Sequence, residues 1–478
     1  WSRFTTKNPD AKVILRNLTL TSSQTTGTWN SYDVTLNCNV ELENVDLLKA
    51  VAFDGAGKSV KVKNVTIKDA KVSGRLNVGV VAGNPYTSKY TNINVTGHVE
   101  VNGFAYVGAV GGKNAYANWT DVTVDVDETS YVNANSVEDG TAYRTYVGGV
   151  VGFNGEGGHS FKNIKSNINV KGSTVHVGGL FGIAHYGNQF ENCVCTGDVE
   201  IYAAAEEADA QEIGGIAGVW HNGGQNVVMN NCSFTGTLKA NDDYVITPKF
   251  TNLVCAAYNA NGTGKLIIDG VEYMQTTDGV TINGLTPVAT ADELVAALKA
   301  EEGVYLLNDI TVAATEGGYK KAGILQNKAQ TIDGGGHTLT VTGAGATWDC
   351  AIYTNGGTIK NLTVKGAMRG IFTAGLNTDL YIENVEFKNV IYTFNSDGDM
   401  PANPFGVYVS NSIVNGWTSH SNMHTEVVYT NCSFGEGSGY KYCRPYSNTE
   451  FVNCTFCPGY TVDTTRATVT FTDCTWEE

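Results

Sequence analysis

A four-residue phrase recurs along this chain: Asn, an apolar residue, usually a small polar residue, then a second apolar residue. It reads Asn17-Leu18-Thr19-Leu20, Asn64-Val65-Thr66-Ile67, Asn231-Cys232-Ser233-Phe234, Asn361-Leu362-Thr363-Val364, Asn384-Val385-Glu386-Phe387, Asn431-Cys432-Ser433-Phe434 and Asn453-Cys454-Thr455-Phe456, with Asp in Asp473-Cys474-Thr475-Trp476. Counting looser matches, it starts at residues 361, 384, 411, 431, 453 and 473, in steps of 23, 27, 20, 22 and 20. Apolar residues two apart have the period of a strand. A repeat of about 20 residues holds two or three short strands and cannot bury its inner face alone. Turns of this length must therefore stack, each backbone group pairing with the next turn about 4.8 Å away and each apolar position meeting its equivalents. Asn at the corner before a strand suits this, since its side chain bonds local backbone or stacks in an amide ladder. The expected fold is all-β, a parallel β-helix.

A second phrase runs through residues 78 to 218: Val78-Gly79-Val80-Val81-Ala82-Gly83, then VGAVGG from Val107, VGGVVG from Val147, VGGLFG from Val177 and IGGIAG from Ile213. An Asn or Asp phrase follows each at Asn92, Asp121, Asn163, Asn192 and Asn231, so both motifs belong to one coil. Glycine here lets the backbone bend sharply or approach the next turn with no Cβ in the way. No helix pattern and no Lys-Ser/Thr follows these glycines, which argues against a phosphate cradle. Across about 78 to 240 these repeats resemble the GLUG motif of large bacterial surface and secreted proteins. The resemblance implies export and a repetitive β-coil, and supplies no catalytic residues. The excursions at 127–145 and 202–212 are expected to bulge outward as solvent loops or a binding edge.

The Gly phrase stops between 240 and 290, and Leu285-Thr286-Pro287 reads as a break. Thr290 and Glu293 then have capping-box spacing, and Leu294, Ala297 and Leu298 form one apolar stripe, so a short helix near 291–300 is expected to plug a new coil. With the strand Leu306-Leu307-Asn308-Asp309-Ile310-Thr311-Val312 and the turn Thr331-Ile332-Asp333-Gly334-Gly335-Gly336-His337, this opening resembles pectate-lyase-like right-handed β-helices. The expectation is two consecutive right-handed parallel β-helices, residues 1–285 and 286–478. Ending on a rung at Trp476-Glu477-Glu478, the second coil is expected to continue or to be covered by a partner chain.

Composition narrows the function. A formal net charge of −16 disfavours nucleic acid and anionic membranes. No apolar run approaches the roughly 18 residues of a membrane span. No signal peptide precedes Trp1, so the chain is expected to be a trimmed product of a secreted or bacterial cell-surface protein. Of eleven cysteines, Cys193, Cys232, Cys432, Cys454 and Cys474 fill the apolar slot after Asn or Asp, where they read as buried reduced thiols rather than disulfides. A Cys454–Cys457 or Cys443–Cys457 bond is left open.

Catalytic patterns are incomplete. A lyase would need a Ca²⁺ cluster and an Arg or Lys base. Arg369 and Arg444 stand alone, the Arg-x-Pro-x-x-Arg arrangement of pectate lyases is not completed, and Asp349, Asp379, Asp397 and Asp399 fall at unrelated points of the repeat. Ca²⁺ is the one cofactor left open. Asn395-Ser396-Asp397 has a faint likeness to polygalacturonases, but that family's paired Asp, Gly-His-Gly and Arg-Ile-Lys elements are missing. His420, His424 and Glu426 lie on strand and loop, where a four-residue spacing does not bring two imidazoles together. The Asn-x-Ser/Thr sequons, Asn118 apart, mostly coincide with the corner phrase.

What remains is aromatic: Trp417, Tyr440, Tyr442, Arg444 and Tyr446 occupy two adjacent stretches outside the phrase, which neighbouring turns would bring to one side as a ligand-binding surface. The reading is a non-catalytic, adhesin-like scaffold binding glycan or a surface protein. The alternatives are a lyase or glycosidase acting on acidic polysaccharide, and an accessory subunit of a nutrient-uptake assembly.

Overall fold

Before residue 60 the computed structural model describes only the strands 2–4, 12–21, 34–36, 39–48 and 53–54; from 60 to 478 it describes all but 75, 82, 84–87, 136–144, 156, 174–175, 204–210, 241–244, 247–250, 256–261, 277–278, 318–319, 327, 344–348, 374, 397–403 and 421–423. Asp397, Asp399, Cys38 and residues 136–144 and 204–210 of the two long excursions thus lie outside the described residues. The first excursion does not bulge outward throughout, since Tyr131–Asn135 is a rung strand paired with Glu100–Gly103 and Asn169–Ser173, with Val132 and Ala134 buried. The chain divides into two compact units, Trp1–Val280 and Thr281–Glu478.

Both units are parallel β-helices. In the first, the phrase strand repeats as a single ladder through Val60–Lys68, Ser88–Gly97, Ala117–Val126, Ser160–Ser166, Gln189–Glu191 and Val227–Asn230. Equivalent residues pair in register, Val65 with Ile93, Ile93 with Val122 and Val122 with Ile164. The Asn of the phrase is a bend inside or at the end of a strand. Asn64, Asn92, Asp121, Asn163, Asn192, Asn231, Asn361, Asn384, Asn411, Asn431, Asn453 and Asp473 all hold φ between 50° and 56°, a left-handed conformation that Asn tolerates better than other residues with a Cβ. Their amides form the expected ladder: Asn192 Nδ2 donates to Asn163 Oδ1 at 3.0 Å, Asn231 to Asn192 at 2.7 Å, and Asn453 to Asn431 at 2.7 Å. The next residue faces the core, with Val65, Leu362, Val385, Cys432 and Cys454 at most 2% exposed.

The Gly phrase marks where two sheets of one turn meet. Ala105–Gly108, Tyr146–Gly148, His176–Gly178 and Gln211–Gly214 build one sheet, and Gly111–Ala115, Val151–Gly155, Phe181–Ala184 and Ala217–Trp220 build another. A Cβ on Gly152 would sit 2.4 Å from the Val107 nitrogen, and one on Gly108 2.4 Å from the Gly111 carbonyl oxygen. Only glycine permits that approach. Large side chains stack along the first core, Tyr90 on Trp119 at 3.8 Å and Phe161 on Phe190 at 4.7 Å.

The second unit opens with helix α1, Ala291–Lys299. The Thr290 hydroxyl accepts from the Glu293 N–H, the Glu293 carboxylate accepts from the Thr290 N–H, and Leu294, Ala297 and Leu298 are buried. The Ala289 N–H, which donates to the same carboxylate at 2.7 Å, and after it the Thr290 N–H hold the Glu293 carboxyl below its ordinary range. Parallel rungs follow in a phrase sheet and a second sheet of eight strands, the latter parallel except for its first pair, Thr315–Gly317 against Lys320–Leu325. Tyr429 and Phe451 stack at 5.2 Å inside, and the exposed Phe471 continues the stack on Phe451 at 5.2 Å. The ten described cysteines are all free thiols, so neither bond envisaged for Cys457 forms. Cys443 and Cys454 serve instead as small apolar fillers, 1% and 0% exposed.

Candidate functional site

The five aromatic and cationic residues singled out from sequence meet on the outer face of the eight-stranded sheet. Trp417–His420 pairs with Tyr442–Pro445 in register, placing Trp417 beside Tyr442, Thr418 beside Cys443 and Ser419 beside Arg444. Strand alternation turns Cys443 into the core and leaves Trp417, Tyr442 and Arg444 outward. One turn earlier, Tyr392 pairs with Trp417. The rings of Tyr392, Tyr440 and Tyr442 lie 5.3, 5.6 and 5.2 Å from that of Trp417. Tyr440 is 40% exposed and comes from a tight turn closed by the reciprocal bonds of Gly437 and Tyr440.

Arg444 is clasped between rings, its guanidinium 5.0 Å from the Trp417 centroid and 5.3 Å from that of Tyr446, within cation–π range. Arg466 covers Tyr446 at 5.0 Å and donates from Nε to Asp463 at 3.1 Å. Asp463 also accepts from the Thr465 hydroxyl at 2.6 Å, the Thr465 N–H at 2.9 Å and the Tyr442 hydroxyl at 3.4 Å. These bonds, Thr465 foremost, pull its carboxyl down to about 2. Burial, followed by Asp463, pushes the Tyr442 phenol up. Lys441 is engaged by Glu436 at 3.2 Å and by the Pro458 carbonyl at 3.1 Å. The Trp417 indole N–H and the Arg444 Nε–H meet no acceptor among the described residues.

Tyr392, Asp463 and Arg466 belong to the same strip and escaped the sequence reading. The signal that finds them is register across turns, which loops of unequal length conceal. The residues weighed for catalysis go elsewhere. Arg369 is 0% exposed, its guanidinium 4.8 Å from the Phe372 ring, beside a small outer cluster of Ala322, Cys350, Phe372 and Tyr353. Asp349 is 6% exposed, and Asp379 accepts from the Gly406 N–H at 2.8 Å. His424 is buried with Nε2 3.1 Å from the Thr373 hydroxyl, while Glu426 accepts from the Tyr408 hydroxyl at 2.8 Å. Among the described residues no three His, Cys, Asp or Glu side chains converge as a metal cage. No described helix is long and apolar enough to cross a membrane.

No family model matches the chain, and no curated protein matches it. Solved structures similar to it include two of the PL6 family alginate lyase AlyGC. One aligns over 98% of this chain and 97% of that one at 11% identity and a TM-score of 0.21. The other, an arginine-to-alanine mutant of the same enzyme, aligns over 93% and 90% at 11% identity and a TM-score of 0.20. Alignments this loose carry no argument about chemistry; the β-helix is read from the chain's own strand pairing.

Proposed function

We propose that this chain is a non-catalytic, adhesin-like β-helix scaffold, secreted or displayed on a bacterial cell surface, that binds glycan through the aromatic strip of its second unit. The observation that carries the reading is the register of Tyr392, Trp417 and Tyr442 on successive turns, with Tyr440 and Arg444 against the same indole. Half-exposed rings in a row give flat apolar platforms for sugar faces, and their phenol and indole groups supply hydrogen bonds at the rim. The carboxylates nearest the strip are committed, Asp463 to Arg466 and Thr465 and Glu436 to Lys441, which favours holding a ligand over cleaving one. The GLUG-like repeats of the first unit support a surface location.

The test is affinity electrophoresis or calorimetry of the full chain against a polysaccharide panel, with Trp417→Ala beside the parent. Binding that falls at least tenfold in the variant, about 1.4 kcal/mol, supports the reading. New unsaturated or reducing ends in any incubation, with or without Ca²⁺, would replace it with an enzymatic one.

A further inference from the structure

Resting on the strip as a glycan site, we infer that its ligand is an anionic glycan whose acid groups are separated by neutral residues, with one acid group seated on Arg444. Three observations lead there.

The first is charge. Around the strip Arg466 is matched by Asp463 and Lys441 by Glu436, whereas Arg444 makes ring contacts and no ion pair among the described residues. A chain of net charge −16 thus keeps one guanidinium without a carboxylate at the centre of its aromatic strip. The second is geometry. Trp417 and Tyr446 fix the guanidinium plane, and a fixed planar fork of N–H donors matches the two oxygens of a carboxylate or sulfate. Holding the fork in advance lowers the ordering cost of binding.

The third is what lies on either side. Along the column of Arg444 the preceding turns place Ser419 and Asn395, both buried, so the column offers no charged group on that side. The following turn places Asp463, whose N–H bonds the Cys443 carbonyl. Turns are about 4.8 Å apart, close to the advance of one residue in an extended glycan. A polymer lying along the ring ladder therefore meets one cation, with a carboxylate on the following turn and no opposing charge from the column on the preceding ones. A uniform polyuronate would set an acid group against Asp463. A polymer alternating acidic and neutral residues would not.

Calorimetry with hyaluronan (alternating acidic and neutral), polygalacturonate (acidic throughout) and a neutral mixed-linkage β-glucan tests this on the full chain, with Trp417→Ala, Arg444→Gln and Asp463→Asn. Hyaluronan is expected to bind at least tenfold more tightly than either other polymer, and Arg444→Gln to lose at least tenfold for hyaluronan alone. Asp463→Asn, which removes the opposing carboxylate and releases Arg466, is expected to gain several-fold for polygalacturonate. Equal binding of β-glucan, or an unchanged Arg444→Gln with a weakened Trp417→Ala, overturns the charge assignment and leaves the glycan site standing. Polygalacturonate matching hyaluronan overturns the spacing. Binding of no polymer, or binding indifferent to Trp417→Ala, overturns the glycan site itself.

Discussion

The ladder asparagines do two jobs that substitution can separate. Asn192 holds φ 54°, donates to Asn163 and accepts from Asn231. Asn192→Gly keeps the backbone conformation and loses the amide bonds, a cost of about 1–2 kcal/mol. Asn192→Ala adds the penalty of a Cβ in the left-handed region, about 1–2 kcal/mol more. Denaturant unfolding should rank parent, Gly, Ala; equal losses would show that the bend carries no strain. His424 gives a pH signature in the second unit. Burial pushes its imidazole from the ordinary 6.5 down to about 4. The unfolded chain therefore takes up a proton near pH 6.5 that the folded chain refuses until near 4. The stability contribution is complete above pH 6.5 and falls as pH drops toward 4, by at most about 3 kcal/mol. Thermal midpoints of the parent should decline more steeply across that window than those of His424→Gln; parallel declines would place the titration elsewhere. Arg369 shows what residue type alone conceals. A charged side chain reads as exposed, yet this one is closed over beside Phe372, because its column meets a second apolar cluster outside the main core.

At the scale of elements, legibility followed how local the signal is. The capping box and apolar stripe of α1 are written within nine residues, and the helix forms at Ala291–Lys299 as that pattern requires. The phrase strands are equally local. The second sheet of the second unit is not: its strands share a face only through register across turns, so Tyr392 and Arg466 join the strip with no motif to announce them. The Gly phrase lies between these cases. Its glycines were legible as a demand for close approach, while the partner they approach, a second sheet of the same coil, was not. That contact is testable. Gly152→Ala puts a methyl group 2.4 Å from backbone nitrogen and should cost at least about 3 kcal/mol or prevent the first unit from folding. Gly224, where an added Cβ would meet nothing within 4 Å, should accept Ala with a change within about 0.5 kcal/mol.

At the scale of the molecule, each unit is a stack whose turns repeat the same instructions: a left-handed Asn or, at 121 and 473, Asp, an inward apolar pair, and, where the residue is Asn, an amide to pass to the turn before. Each turn contacts chiefly its neighbours, so stability accumulates along the stack rather than residing in one centre. The amide ladder also has a direction. Asn163 donates to Asp121 at 2.7 Å and Asn361 donates to Asp333 at 3.0 Å, so each Asp takes the acceptor's place. From this follows a rule about inheritance. Such a chain can be lengthened or shortened only in whole turns, as a staircase can lose a step but not part of one. Removing residues 163–191 brings Asn192 to the place of Asn163, 29 positions earlier, and should leave a shorter coil that still unfolds cooperatively. Removing 163–177 alone should leave none. A lineage built this way changes length by copying and losing turns, and its members are better aligned by counting turns than by counting residues.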